Sequence, residues 1–242
     1  MVAGTVNDLK NLKVELTRFM MSYKFALHEM NTKIDILKQE FHYIHEYNPI
    51  EHVKSRLKSP ESILNKVKKK EYALSLPIIK EKIRDIAGIR ITCSFISDIY
   101  EISNMLQRQK DITVVACKDY IKNPKPNGYQ SLHLILQIPI FMSDREELMY
   151  VEIQIRTIAM DFWASLEHKI YYKYNKEVPE HLMAELKEAA DSATKLDRKM
   201  EGIHKKMAVL KEEVQEEKDN SLELMLLNER FALPEDFLEK ES

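Results

Sequence analysis

Two carboxylates lie beside arginines in strand-like segments of this 242-residue chain. Asp85 directly precedes one apolar run, and Glu152 lies within another. Magnesium at phosphate sites is usually held by one or two carboxylates together with the substrate, not by a protein cage. Acids on neighbouring strands therefore suit a magnesium ion that is bridged to phosphate oxygens. The alternative interpretation is that each acid forms an ordinary ion pair with Arg84, Arg90 or Arg156.

A basic stretch precedes the first of these acids. Residues 54–70 contain seven Lys or Arg residues and a single Glu, although the formal net charge of the chain is only -2. Arg56 and Lys58 alternate in an extended segment, and Lys66 follows Ser62 by one helical turn. Together with the free N–H groups at a helix start, these side chains are suited to hold a polyphosphate. The alternative is a solvated basic helix face.

A loop with two prolines and a glycine carries the third group. Tyr129 follows the glycine and lies among Lys125, Asn127 and His133. A tyrosine with amide and lysine neighbours can stack on a nucleobase and bind its edge and phosphates. The alternative is a loop tyrosine that packs on the edge of a sheet. Together the three groups indicate a transferase that acts on nucleotides, without naming its reaction.

Three predicted strands position these groups on one face of a sheet, because residues two apart in a strand share a face. The apolar sets are Ile89, Ile91, Cys93 and Phe95; Leu132, Leu134, Leu136 and Ile138; and Val151, Ile153 and Ile155. The opposite sets are Arg90, Thr92 and Ser94; Ser131, His133 and Gln137; and Glu152, Gln154 and Arg156, with Ile135 as an apolar exception. The shared polar face indicates a concave site, the alternative being a merely solvated sheet face.

Helices and a further strand surround these three. Ser59 and Pro60 begin a short helix as its cap and first residue, and residues 76–83 form another. Ser97 is predicted to cap a helix that ends near residue 109, and residues 112–117 form a strand. Residues 157–172 form an apolar-rich helix. The pattern predicts a mixed α/β core.

Long helices flank this core. Residues 7–46 carry an apolar stripe with steps of three and four residues, and the stripe shifts once near Ile34. Residues 179–215 carry an unbroken heptad seam: Leu182, Leu186, Ala189, Ala193, Leu196, Met200, Ile203, Met207, Leu210 and Val214. The seam either packs on the N-terminal helix of the same chain or forms a subunit interface, and both interpretations stay open.

Composition narrows the class of protein. The chain is 44% hydrophobic and 31% charged, which allows a packed core, and its net charge gives no general argument for nucleic-acid binding. No glycine-rich Walker or dinucleotide-binding loop occurs. Cys93 and Cys117 lie in apolar runs and are predicted to be buried free thiols, not a disulfide. Without a signal-like N-terminus or a membrane-length apolar run, a cytoplasmic location is expected.

Five ordered motifs within residues 50–175 resemble the synthetase domain of the RelA/SpoT homologues, and among them the small alarmone synthetases. They are HVKSRLKS at 52–59, RDIAGIR at 84–90, NGYQSLH at 127–133, EIQIRT at 152–157 and FWASLEH at 162–168. The resemblance is greatest to the RelP/YwaC branch. It implies an α/β (α+β) fold with a mixed central sheet of about five strands, flanking helices and a nucleotidyltransferase-like core. The implied regions are an N-terminal helical segment at 1–48, a (p)ppGpp synthetase core at 49–175 and a C-terminal helix and tail at 176–242.

The resemblance also implies an activity: transfer of the β,γ-pyrophosphate of ATP to the 3′-hydroxyl of GDP or GTP, giving AMP and ppGpp or pppGpp. It assigns the ATP site to Arg56 and Arg90 around the adenine and to Lys58, Ser62 and Lys66 on the phosphates. It assigns magnesium to Asp85 and Glu152, with Glu152 also the base for the 3′-hydroxyl. It assigns the guanine nucleotide to Tyr129, Lys125, Asn127, His133, Gln154, Ala164 and Lys118.

The resemblance further implies a homotetramer built through the terminal helices and an enzyme without hydrolase activity. Two alternative functions fit the sequence less well. A polymerase-β-like nucleotidyltransferase that acts on RNA ends would need a broad basic surface, and the formal net charge of -2 argues against one. A coiled-coil scaffold that only binds guanine nucleotide would not need both Asp85 and Glu152.

Overall fold

The computed structural model describes the backbone of residues 6–44, 47–171 and 179–228. Its helices are α1 (Val6–Ile44), α2 (Pro60–Lys69), α3 (Leu76–Lys82), α4 (Ile96–Gln107), α5 (Ile158–Tyr171) and α6 (Glu180–Asn228). Its strands are β1 (Ile50–Leu57), β2 (Ala87–Cys93), β3 (Thr113–Asp119), β4 (Leu132–Phe141) and β5 (Glu146–Thr157). None of the helices in these ranges is long and apolar enough to cross a membrane.

The five strands form one mixed sheet in the order β1-β2-β5-β4-β3. Strands β2 and β5 are parallel, whereas the other three neighbouring pairs are antiparallel. The mixed sheet of about five strands and the long helices near both ends confirm the expected fold class.

One face of this sheet forms the core. The alternating side chains of β4 and β5 are buried on that face, among them Leu134, Leu136, Ile153 and Ile155 at 0% exposure. They belong to one apolar cluster with residues of α1 and α4. Burying a Leu or Ile side chain stabilises the fold by about 1.5–3 kcal/mol. This burial fixes the register of the strands, because a shift by one residue would move the polar set into the core.

The two long helices bury only parts of their apolar stripes. In α1, Tyr23, Ala26, Met30 and Ile34 are fully buried, whereas Leu12 is 50% exposed. The predicted end of this helix, residues 45–46, lies outside the described residues. In α6, the seam predicted from the heptads is largely exposed at Leu182, Leu196, Met200, Ile203, Met207 and Leu210. The chain divides into two compact units, Met1–Arg198 and Lys199–Ser242.

Two local predictions are wrong. Helix α4 begins at Ile96, so Ser97 lies inside it. Its first turn is instead closed by Asp98, whose carboxylate accepts a hydrogen bond from the backbone N–H of Phe95 at 2.9 Å. Cys93 is buried as predicted, but Cys117 is exposed because β3 is the edge strand of the sheet. Both cysteines are free thiols, as expected.

The start of α2 provides a test of local stability. Ser59 accepts a hydrogen bond from the N–H of Ser62 at 3.2 Å and so caps the helix, as predicted. We expect Ser59→Ala to lower the free energy of unfolding by about 1 kcal/mol, the usual value of such a cap. Urea unfolding followed by circular dichroism measures the change.

Ser75 is the matched control for this substitution. It occupies the same cap position before α3 but makes no side-chain hydrogen bond there. Ser75→Ala should therefore change the free energy of unfolding much less than Ser59→Ala. Equal effects would contradict the capping role of Ser59.

Candidate active site

The polar face of the sheet is built from side chains that the strand register places in line. Lys54, Arg90, Gln154, His133 and Lys118 are successive partners across all five strands. Paired residues of neighbouring strands point to the same face. One row of the sheet thus joins basic groups at both edges to an amide and an imidazole at its centre.

The next row contains the second carboxylate. Gly88 pairs with Arg56 on one side and with Glu152 on the other. Because glycine has no side chain, a cavity of about 140 Å³ opens above it, lined in part by Arg56, Arg90, Glu152 and Gln154. A Cβ atom on Gly88 would already lie 3.6 Å from the Arg56 side chain. Larger residues at this position would fill the space between the arginines and the carboxylate.

Asp85 lies immediately before β2 and is held by two lysines. Its Oδ2 atom is 2.6 Å from the Lys58 Nζ and 2.7 Å from the Lys66 Nζ. Burial acts to raise the pKa of Asp85, but the two lysines outweigh it, so the pKa lies below its usual value. The Asp85 Oδ1 atom is buried and has no hydrogen-bond partner among the described residues. Asp85 is therefore an ionised carboxylate with one oxygen available to a ligand.

Glu152 has partners of a different kind. Its Oε1 is 3.5 Å from the Nδ1 of His133, and its Oε2 accepts a hydrogen bond from the Gln154 amide at 3.1 Å. Burial acts to raise the pKa of Glu152 and the nearby charge of Asp85 does the same, but His133 and Gln154 leave that pKa below its usual value. Glu152 is thus ionised at neutral pH and able to accept a proton.

The donor set fits a magnesium ion that is shared with a substrate. Asp85 and Glu152 are both ionised, the charge of Asp85 acts on Glu152, and Asp85 offers a free oxygen. No cluster of three or more metal-ligating side chains occurs within the described ranges. Magnesium commonly takes one or two carboxylates and completes its octahedron with water and phosphate oxygens.

Tyr129 is half-buried on the polar face, among aromatic and cationic groups. Its hydroxyl lies 2.8 Å from the Nε2 of His133 and accepts a hydrogen bond from Arg156 at 2.6 Å. The Lys125 ammonium lies 4.5 Å from the ring centroid, and Tyr120 contacts the ring edge-on. The loop tyrosine is therefore packed at the sheet, and a base that stacked on it would have to displace Lys125 or share the ring with it.

The loop before Tyr129 has a fixed shape. Asn127 accepts a hydrogen bond from the Tyr129 N–H at 3.2 Å and donates its amide to Glu167 at 3.3 Å. Gly128 has a φ of +87°, in the left-handed region that favours glycine. A Cβ atom there would lie 2.4 Å from the Ala190 Cβ of α6. Asn127 and Gly128 are thus required by the turn itself.

The first turns of α6 support this loop. Ala190 packs in a small apolar cluster with Trp163 and Ala164 of α5, and the Trp163 indole donates to the backbone carbonyl of Leu186 at 3.1 Å. Ala164 is only 7% exposed within that cluster. Its small side chain lets α6 approach the loop that carries Tyr129.

The structure brings most of the predicted site residues together. Lys58, Lys66 and Asp85 form one cluster, and Arg56, Arg90, Glu152 and Gln154 line one cavity. Gln154 and His133 join that cavity to Tyr129. Lys118 is exposed beside His133 on the edge strand. Ser62 is exposed at the start of α2, where its hydroxyl accepts a hydrogen bond from Ser59.

Two residues of the site were not predicted as functional. Arg156 is only 4% exposed and contacts Tyr129, Gln154 and Asp161. The sequence could have indicated Arg156 as a site residue, because it follows Gln154 by two residues and so shares the polar face of β5. Asp161 also contacts Arg90, at 3.1 Å. Nothing in the sequence pattern separates this aspartate from an ordinary first-turn acid of a helix.

Comparison with known proteins defines the class. The family model described as "Region found in RelA / SpoT proteins" matches residues 55–177. GTP pyrophosphokinase YwaC of Bacillus subtilis is 54% identical over 84% of this chain and 96% of its own. The crystal structure of small alarmone synthetase 2 from Bacillus subtilis, also 54% identical, superposes with a TM-score of 0.73 over 79% of this chain and 99% of its own.

Related structures contain nucleotides. Small alarmone synthetase 1 from Bacillus subtilis, bound to its product pppGpp, is 39% identical and superposes with a TM-score of 0.75 over 80% of this chain and 98% of its own. The same protein bound to AMPCPP superposes with a TM-score of 0.67 over 79% and 98%. The chain belongs to the RelA/SpoT family. Within that family it is a small alarmone synthetase.

Gly128 provides a test of how the loop is held. We expect Gly128→Ala to lower the free energy of unfolding by at least about 2 kcal/mol, because it adds left-handed strain and a clash with Ala190. Urea unfolding followed by circular dichroism measures the loss.

Gly202 provides the matched control, because a Cβ atom there would meet nothing within 4 Å in the middle of α6. Gly202→Ala should raise the free energy of unfolding by up to about 1 kcal/mol, the gain in helix propensity. In the double variant Gly128→Ala, Ala190→Gly the clash is removed but the strain remains. A Gly128→Ala variant as stable as the unmodified protein would contradict the described packing of the loop.

Proposed function

We propose that this GTP pyrophosphokinase binds ATP and a guanine nucleotide on the two halves of the polar sheet face and joins them across Asp85 and Glu152. The β,γ-pyrophosphate of ATP is transferred to the 3′-hydroxyl of GDP or GTP. The observation that carries the proposal is that the ionised Glu152 lines the arginine-lined cavity, is joined to Tyr129 through His133, and lies close enough to the ionised Asp85 to sense its charge. The pppGpp and AMPCPP bound to the related synthetase support the same pair of ligands.

ATP occupies the side of the face formed by β1, β2 and α2. Arg56 and Arg90 line the cavity over Gly88, and their planar guanidinium groups suit stacking on an adenine ring. Lys58 and Lys66 neutralise the phosphates, and Ser62 adds a hydroxyl at the N-terminus of α2.

The two lysines hold Asp85 when ATP is absent, so ATP binding exchanges their partners. Phosphate oxygens replace the Asp85 carboxylate on Lys58 and Lys66. Asp85 would then be available, with Glu152, to hold a magnesium ion. The exchange conserves ion pairing throughout, which avoids leaving a half-buried charge without a partner.

The guanine nucleotide occupies the side formed by β4, β3 and the Tyr129 loop. Tyr129 stacks the guanine, with Asn127, Gln154 and Ala164 around the acceptor. The three cationic or imidazole groups Lys118, Lys125 and His133 lie near the acceptor and its phosphates. His133 also connects Tyr129 to Glu152, so the base platform and the proton acceptor share one hydrogen-bonded residue.

The reaction needs one proton transfer and one displacement. The 3′-oxygen of the acceptor attacks the β-phosphorus of ATP, the bond from that phosphorus to the α,β-bridging oxygen breaks, and AMP leaves. Glu152 takes the proton of the 3′-hydroxyl as general base. Magnesium held by Asp85 and Glu152 would supply charge neutralisation on the phosphates. Lys58 and Lys66 stabilise the negative charge of the transferred group.

The function is tested with purified protein, labelled ATP, magnesium, and GDP or GTP. Anion-exchange chromatography should show ppGpp or pppGpp together with an equal amount of AMP. Glu152→Gln should lower the rate by at least about 10²-fold, the lower range for loss of a general base, and Asp85→Asn should lower it as well because a magnesium ligand is lost. Circular dichroism should show that both variants fold.

A carboxylate outside the site provides the control. Glu147 lies on the same strand as Glu152 but is paired with Lys80 and Arg145. Glu147→Gln should keep the activity of the unmodified protein. Near-normal product formation by Asp85→Asn or by Glu152→Gln would exclude the assigned roles.

Assembly as a homotetramer through the terminal helices is part of the same proposal. It is supported by the exposed seam of α6 and by the exposed apolar residues near the start of α1.

Light scattering after size-exclusion chromatography should give four times the 28.6 kDa of one chain. Leu196→Glu, on the seam, should dissociate the assembly because it buries a charge in an apolar interface. Leu74→Glu, at a leucine outside the seam that is even more exposed than Leu196, should leave it intact.

A further inference from the structure

Two arginines of the active site share one carboxylate. The Oδ1 atom of Asp161 lies 3.1 Å from the NH1 of Arg90 and 3.2 Å from the NH1 of Arg156. Asp161 belongs to the first turn of α5, where the partial positive charge of the helix N-terminus favours an anion. A single oxygen atom thus connects β2 to β5 through side chains, in addition to their backbone pairing.

Each arginine extends the connection into a different half of the site. Arg90 lines the cavity assigned to the adenine, and its Nε atom is buried with no hydrogen-bond partner within the described part of the chain. Arg156 donates from its NH2 to the hydroxyl of Tyr129 at 2.6 Å and to Gln154 at 2.9 Å. A continuous path of polar contacts therefore runs from Arg90 through Asp161 and Arg156 to Tyr129.

The positions of Arg90 and Arg156 depend on the negative charge of Asp161 between them. The charge of Arg156 acts on Arg90 strongly enough to lower its pKa, second only to burial, and Asp161 opposes that effect. Two guanidinium groups that contact the same oxygen atom repel each other, and the charge of the anion between them offsets that repulsion. If Arg90 moves toward a bound adenine, its ion pair with Asp161 weakens and Asp161 pairs mainly with Arg156. The hydrogen bond from Arg156 to Tyr129 then changes as well.

We propose that Asp161 is a positioning residue that couples the two nucleotide sites, so that occupancy of the ATP site orders Tyr129 for the guanine nucleotide and the reverse. This inference rests on the proposed function, because it takes Arg90 as part of the ATP site and Tyr129 as the guanine platform. Coupling between two binding sites is reciprocal, so each ligand tightens the binding of the other by the same factor.

The coupling is measured by titration calorimetry with AMPCPP, an ATP analogue with an uncleavable α,β-bridge, in the absence and presence of saturating GDP and magnesium. In the unmodified protein GDP should tighten AMPCPP binding by at least about fivefold, the lower end of common coupling energies. In Asp161→Asn this factor should fall below about twofold, because an amide cannot hold both guanidinium groups as a carboxylate does. Binding of each nucleotide alone should change less than the coupling factor does.

Glu167→Gln is the matched control on the same helix. Glu167 contacts Asn127 of the acceptor loop and lies outside the path between the arginines. This variant makes the same carboxylate-to-amide change as Asp161→Asn, and it should keep the coupling factor of the unmodified protein. A loss of coupling equal to that of Asp161→Asn would overturn the proposal.

Tyr129→Phe tests the other end of the path if Asp161→Asn does not fold. It keeps the aromatic face but removes the hydroxyl that accepts the Arg156 hydrogen bond. The coupling factor should fall while GDP still binds alone. Full coupling in a folded Asp161→Asn or in Tyr129→Phe would overturn the proposal, as would independent binding in the unmodified protein.

Failure of the proposed function would have a different signature. In that case Arg90→Ala would not selectively weaken AMPCPP, and Tyr129→Ala would not selectively weaken GDP. If these two variants act selectively and the unmodified protein shows no coupling, only the role of Asp161 is wrong.

Discussion

Parallel pairing of β2 with β5 places Gly88 beside Glu152 and Arg90 beside Gln154. All other features of the site are arranged around this register. Asp85 lies two residues before β2, so the same pairing sets its position relative to Glu152. A shift of one residue would point Glu152 and Gln154 into the apolar core, where an unpaired carboxylate is strongly unfavourable. The burial of Ile153 and Ile155 on the opposite face therefore fixes the active site as firmly as any contact within it.

The site concentrates charge on a half-buried surface, and the structure balances that charge group by group. Asp85 is balanced by Lys58 and Lys66, and Asp161 by Arg90 and Arg156. Breaking a buried ion pair usually costs more than forming it contributes, because the remaining charge loses its partner. Ligands that bring their own phosphates and metal can exchange partners with these groups without leaving one uncompensated. The ion pairs of the ligand-free protein are therefore expected to mark the positions that charged groups of the ligands occupy.

Much of the fold and of the site follows from the sequence, for identifiable reasons. The alternation in β4 and β5 predicted both faces of the sheet, and the Ser59 cap was evident from its residue types. The start of α4 was placed two residues too late, because Ser97 is a good cap by composition, whereas the cap is Phe95 and Asp98 closes the first turn from inside the helix. Asp161 was missed because its role depends on two arginines that only the folded sheet brings within reach.

The heptad seam of α6 shows that periodicity predicts an apolar helix face but not what packs against it. The seam was consistent with packing inside the chain or with a subunit interface. In the first unit, Ala190 and Asp197 face inward, and Leu182 and Leu196 face outward. Ala190 and Asp197 are seven residues apart and Leu182 and Leu196 are fourteen apart, so the helix carries two stripes of the heptad period on different faces. In the inward stripe, residue 190 is small because a larger side chain would not fit against the Gly128 turn, and Asp197 accepts a hydrogen bond from the Thr157 hydroxyl. The outward stripe contains large apolar residues, which is the composition expected of a surface that a further helix covers.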